Sequence, residues 1–128
     1  MREVGGEYVE ALLRDVQGNP PSVPFFSSVT GTGKPEQVAL DAKYWQRNLE
    51  SPVLFKTAIA AVLDQIENVT FLEIGPHPAL AGPVRQIMTQ ASSSAPYIGV
   101  MERGSDCVET FLIALGKLFE LNVSIDFV

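Results

Sequence analysis

The stretch Phe71-Leu-Glu-Ile-Gly-Pro-His-Pro-Ala-Leu80 decides the fold, because it joins an apolar strand pattern to a stiff turn and then to the start of a helix. Residues 69–74 are nearly continuous in apolar and β-branched side chains, the pattern of a strand covered on both faces. Such strands belong to parallel sheets. Beyond the turn, Leu80, Val84, Ile87 and Met88 recur at helical spacing, with Gly82-Pro83 tightening or kinking the first turn. In open α/β sheets ligands sit beyond the carboxyl ends of strands, which makes Gly75, Pro76, His77 and Pro78 candidates for a site. The same residues suit a rigid strand-to-helix connection, with His77 simply filling it. The residues alone leave both readings open.

Outward from this stretch the pattern alternates helix and strand. Residues 2–17 carry Val4, Tyr8, Val9, Leu12, Leu13 and Val16 on one helical side, and Gly18-Asn-Pro-Pro-Ser22 stops that helix by removing donors. Residues 23–29 read as a short strand ending in the turn Thr30-Gly-Thr-Gly33. Asp41 can cap a helix carrying Tyr44, Trp45 and Leu49, and Ser51-Pro52 offers an N-cap and a first-turn proline for the next. Phe55, Ile59, Val62, Leu63 and Ile66 form one apolar stripe on that second helix. After the serine-rich link of residues 91–95, residues 96–101 suit another strand. Asp106 and Glu109 resemble a capping box before Val108, Phe111, Leu112, Leu115, Leu118 and Phe119, and residues 125–127 suit a last strand. The expected class is α/β, a parallel sheet flanked by helices.

A chain of 128 residues with 46% hydrophobic and 19% charged residues can build a core, as one domain or as a piece of a larger one. The formal charge of −6 argues against nucleic acid or anionic lipid as a main partner, since both need a basic face. An acidic carrier protein would also need a local basic patch, and the Lys and Arg residues are scattered. No apolar run reaches membrane-spanning length and the start lacks a signal-peptide core, so a cytoplasmic protein is expected. The triplets starting at Asn68 and Asn122 match a glycosylation acceptor by chance.

Several chemistries fail on residue type. The glycine pair before Lys34 is not a phosphate-binding loop, because Ser28 and Pro35 occupy positions that need glycine and a hydroxyl. The exposed-serine elbow Gly-x-Ser-x-Gly is absent, and Ser105 sits beside a helix cap. Glu73 and His77 lack a third ligand for a metal, so no metal site is expected. The single Cys107 reads as a small buried apolar group. A standalone enzyme using His77 with Cys107 is the remotest reading.

Three segments carry a resemblance. Val23-Pro-Phe-Phe-Ser-Ser-Val-Thr-Gly31, Tyr44-Trp-Gln-Arg-Asn-Leu-Glu-Ser-Pro-Val-Leu-Phe55 and Phe71 to Leu80 resemble, in order, the C-terminal part of the acyltransferase domain of polyketide synthases. The likeness is closest to the fungal, highly reducing iterative class. Residues 1–91 would be that part of an α/β-hydrolase-like core, and residues 92–128 the post-acyltransferase linker leading toward a dehydratase. The resemblance implies transfer of malonyl from malonyl-coenzyme A to the phosphopantetheine thiol of an acyl carrier protein through an acyl-serine. It also implies that the catalytic serine and histidine lie upstream of Met1. This chain would then hold no catalytic residue, bind no cofactor itself and be inactive alone. Its partners would be the rest of the acyltransferase, the neighbouring ketosynthase and dehydratase domains, and the carrier protein. Under the resemblance His77 shapes its loop, and Asn48 matches the position whose backbone carbonyl orients the catalytic imidazole. A polar residue at a helix end is the plainer role for Asn48. The alternative function is a non-catalytic module binding a carrier protein or a neighbouring synthase domain.

Overall fold

The structure, a computed structural model, describes residues 10, 11, 15–33 and 39–126. The chain divides into two compact units, Met1–Gln65 and Ile66–Val128. Most of the helix expected over residues 2–17, and the end of the expected last strand, lie outside the described residues.

In the first unit, α1 (Ala42–Glu50) and α2 (Phe55–Gln65) follow an irregular segment. Asp41 caps α1 as expected, its carboxylate accepting the Tyr44 N–H at 2.9 Å. Ser51 does not start the next helix. It ends α1, with extended backbone (φ −91°, ψ 154°) and its N–H donating to Arg47 O at 2.8 Å. Proline forces the residue before it out of the helical region, so Pro52 makes Ser51 a stop and α2 begins at Phe55. The expected strand over residues 23–29 is also absent: the segment is irregular and closes in a turn. Pro24 lacks a ladder donor, and no described strand pairs with this segment. Gly31 sits in that turn at φ 58°, a left-handed conformation that glycine adopts without strain.

In the second unit, β1 (Phe71–Glu73), α3 (Ala81–Gln90), β2 (Tyr97–Gly99) and α4 (Cys107–Glu120) run in βαβα order. β1 and β2 pair in parallel with Phe71 opposite Tyr97, Leu72 opposite Ile98 and Glu73 opposite Gly99. This is the parallel α/β arrangement the strand pattern predicts. Ile98, Ala114 and Leu118 form a buried cluster, with Ile125 packed against it. α3 buries Val84, Ile87 and Met88, the stripe anticipated from spacing. Asp106 caps α4 by accepting the Val108 and Glu109 N–H groups at 2.9 and 3.0 Å.

Both long helices of this unit end on left-handed residues. Ser92 (φ 52°) lets Ser93 N–H reach Met88 O at 2.9 Å, and Asn122 (φ 57°) lets Val123 N–H reach Leu118 O at 3.0 Å. Asn122, like Asn68 (φ 54°), is thus a backbone-turning residue.

Three expectations need correction here. β1 is not covered on both faces, since Leu72 is 40% and Ile74 80% exposed on a sheet of two described strands. Residues 125 and 126 form no strand, and Ile125 contributes by packing alone. Cys107 is exposed, although helical period puts it on the face of Ala114 and Leu118. The first turn of α4 lies beyond the core, as all of residues 102–109 are exposed.

Candidate functional site

Asn48 stands in the last turn of α1, exposed to solvent. The last four carbonyls of a helix have no intrahelical donor, and their surroundings decide whether they stay open. Ser51 N–H satisfies Arg47 O. The carbonyl of Asn48 would next need an N–H from position 52, where proline has none. The extended Ser51 also turns the chain away from the helix axis. Asn48 therefore presents a carbonyl, at the negative end of a helix dipole, that the helix itself does not use.

Elsewhere, in the second unit, Gly75, Pro76, His77 and Pro78 connect β1 to α3. The residue that holds this loop is Glu73. Its carboxylate oxygens each lie 3.2 Å from the N–H of Leu80, the residue capping α3, and one also accepts the Tyr97 hydroxyl. One side chain thus ties β1, the α3 start and β2 together. Pro78 rests against Gly99, where an added Cβ would come within 3.0 Å of the proline Cβ. Burial raises the Tyr97 pKa well above the usual tyrosine value, and the hydrogen bond and negative charge of Glu73 push it further in that direction. Arg85 opposes the shift.

His77 makes no pair with Glu73, whose oxygens are engaged elsewhere. Its Nδ1 is buried without a hydrogen-bond partner among the described residues, and its carbonyl accepts Ala79 N–H at 2.8 Å. Asn48 and the 75–78 loop fall in different units. The clamping role of Glu73 was not legible in the sequence, because its partner Tyr97 lies 24 residues away. A Glu seven residues before a helix start was the only local signal.

A cavity of about 350 Å³ is lined by residues of β2, α3 and α4 and of their connections, among them Pro78, Arg85, Tyr97, Met101, Glu102 and Lys117. It carries charges of both signs and so has no marked preference for an anion or a cation. Among the described residues no three His, Cys, Asp or Glu side chains converge as a metal site, and no helix is long and apolar enough to cross a membrane.

Residues 1–124 match the acyl transferase domain family. The chain belongs to that family. It is 52% identical over 128 residues to the highly reducing polyketide synthase sphB of Aspergillus fumigatus, a match covering 98% of this chain and 5% of that protein. It is 48% identical over 130 residues to the highly reducing polyketide synthase gloL of Glarea lozoyensis, covering 99% of this chain and 5% of that protein. Among solved structures, the acyltransferase domain from module 8 of the salinomycin polyketide synthase superposes with a TM-score of 0.81 at 28% identity, over 97% of this chain and 29% of that one. The acyl transferase chain described here thus spans a small part of the relatives it matches. Their naming agrees with the polyketide synthase resemblance carried by residues 23–31, 44–55 and 71–80.

Proposed function

We propose that this chain is part of a polyketide synthase acyltransferase that loads malonyl units onto an acyl carrier protein. The observation that carries the reading is the superposition on a solved polyketide synthase acyltransferase domain over 97% of the chain. In the reaction, a serine Oγ attacks the thioester carbonyl of malonyl-coenzyme A while a histidine takes its proton. The proton then goes to the departing coenzyme A thiolate, and the resulting acyl-serine passes malonyl to the phosphopantetheine thiol of the carrier.

The serine and the histidine come from sequence outside these 128 residues, because there is no serine elbow here and the sole histidine is folded into a strand-to-helix loop. This chain contributes the Asn48 carbonyl, which accepts from the catalytic imidazole and holds its tautomer, as a carboxylate does in a hydrolase triad. The Glu73-clamped loop of residues 75–78 shapes the scaffold. Ketosynthase and dehydratase domains adjoin it in the complete synthase.

The test is a graft. Residues 1–128 replace the matching segment of a complete highly reducing polyketide synthase acyltransferase, which is then incubated with malonyl-coenzyme A and weighed by mass spectrometry. One malonyl group per domain is expected. A folded graft that takes up none would refute the assignment.

A further inference from the structure

The geometry points to Ser27 and Tyr44 as positioning residues for the catalytic imidazole, acting through α1; this rests on the reading of the Asn48 carbonyl given above. Ser27 is 4% exposed and Tyr44 7%, and their hydroxyl oxygens lie 2.9 Å apart. Ser27 Oγ also accepts the N–H of Val29 at 3.0 Å and of Thr30 at 3.4 Å. A hydroxyl has two acceptor lone pairs and one proton. With both lone pairs taken by the turn, the Ser27 proton goes to Tyr44.

The same turn grips the chain on both sides of Asn48. Gly31 N–H closes it on Ser27 O at 3.3 Å, and Leu54 N–H donates to Ser28 O at 2.7 Å. Tyr44 precedes Asn48 by one helical turn and Leu54 follows it after Pro52, so the helix end is pinned upstream by a hydroxyl and downstream by a backbone bond. The Tyr44 ring is seated edge-on against Phe25 and Trp45, with centroids at 6.3 and 5.3 Å. Removing only its hydroxyl therefore leaves the ring packing and frees the direction of the helix. A displaced acceptor costs rate because proton transfer depends on alignment.

The experiment uses a complete acyltransferase domain carrying this segment, and measures the pH dependence of kcat/KM for malonyl-coenzyme A. Tyr44→Phe and Ser27→Ala are each expected to lower kcat about tenfold with KM held within about twofold, less than the roughly hundredfold or more that full loss of a base costs. A carbonyl accepting from the imidazole favours its protonated form, so loosening that bond lowers its pKa and moves the acid limb of the profile to lower pH. The double variant should be no worse than Ser27→Ala alone, since that substitution already removes the contact with the Tyr44 hydroxyl. If Ser27→Ala does not fold, Ser27→Cys takes its place.

A direct probe of Asn48 separates this inference from the reading beneath it. Replacing the Asn48–Leu49 amide by an ester weakens the Asn48 carbonyl as an acceptor, and should move the same limb in the same direction. An ester that shifts the limb while Tyr44→Phe and Ser27→Ala only scale the rate overturns the positioning role and leaves the Asn48 reading intact. An ester that leaves the limb in place overturns the Asn48 reading itself.

Discussion

In the first unit Tyr44 meets a neutral serine hydroxyl inside the fold, whereas in the second Tyr97 meets the carboxylate of Glu73 across a sheet of two described strands. Each tyrosine's partner also accepts backbone N–H groups, Ser27 from Val29 and Thr30 and Glu73 from Leu80. The neutral pair is buried away from water. The charged pair makes stronger individual hydrogen bonds but stands where solvent screens it. The same task, holding a chain reversal next to a helix, is thus done once by burial and once by charge.

The difference can be broken by substitution. Tyr44→Ala should have the largest effect, about 3 kcal/mol, because it opens a cavity and strands a buried hydroxyl. Hydrogen exchange would show it as lost protection at the Val29 and Thr30 amides. Glu73→Ala should cost less, about 1–2 kcal/mol after allowing for partial exposure, and should expose the Leu80 amide while leaving those of Val29 and Thr30 unchanged. Equal loss of protection in both units from either substitution would contradict the independence of the two anchors.

Alkaline pH sharpens the contrast. The folded Tyr97 has a pKa raised by burial and then by Glu73, so it keeps its proton where the unfolded chain loses it. Its contribution is fully present below the ordinary tyrosine value of about 10 and is lost as pH rises above that value. The melting temperature should therefore fall above about pH 10, and Tyr97→Phe should flatten that fall. The smallest effect is a gain. Ser92 holds a left-handed backbone at the end of α3, so Ser92→Gly should raise stability by up to about 1 kcal/mol in a denaturant melt.

The features legible in the sequence were local or carried by motifs. The Asp41 and Asp106 caps and the α2 and α3 helices follow from spacing and from neighbours a few residues away, and the parallel sheet from the apolar strand pattern and the alternation of strand and helix. The family follows from three motifs in order. Elements that depend on distant partners were not legible: residues 23–29 have a strand composition but no partner strand among the described residues, and Ser51-Pro52 suits a helix start as well as a stop, because extended backbone before a proline fits either cap. Cys107 has a core residue's spacing on a helix turn that overshoots the core. For the candidate site, Asn48 could be placed by motif, but Ser27 and Tyr44 stand 17 residues apart and Glu73 and Tyr97 24, and folding alone brings each pair together.

The assignment of the nucleophile and base to sequence outside these 128 residues is open to one direct measurement. The 128-residue chain and a complete acyltransferase domain containing it are incubated with malonyl-coenzyme A and compared by intact mass. An unchanged mass for the chain, beside a single malonyl adduct on the complete domain, is the expected result. A malonyl group covalently held by the 128-residue chain alone would contradict it.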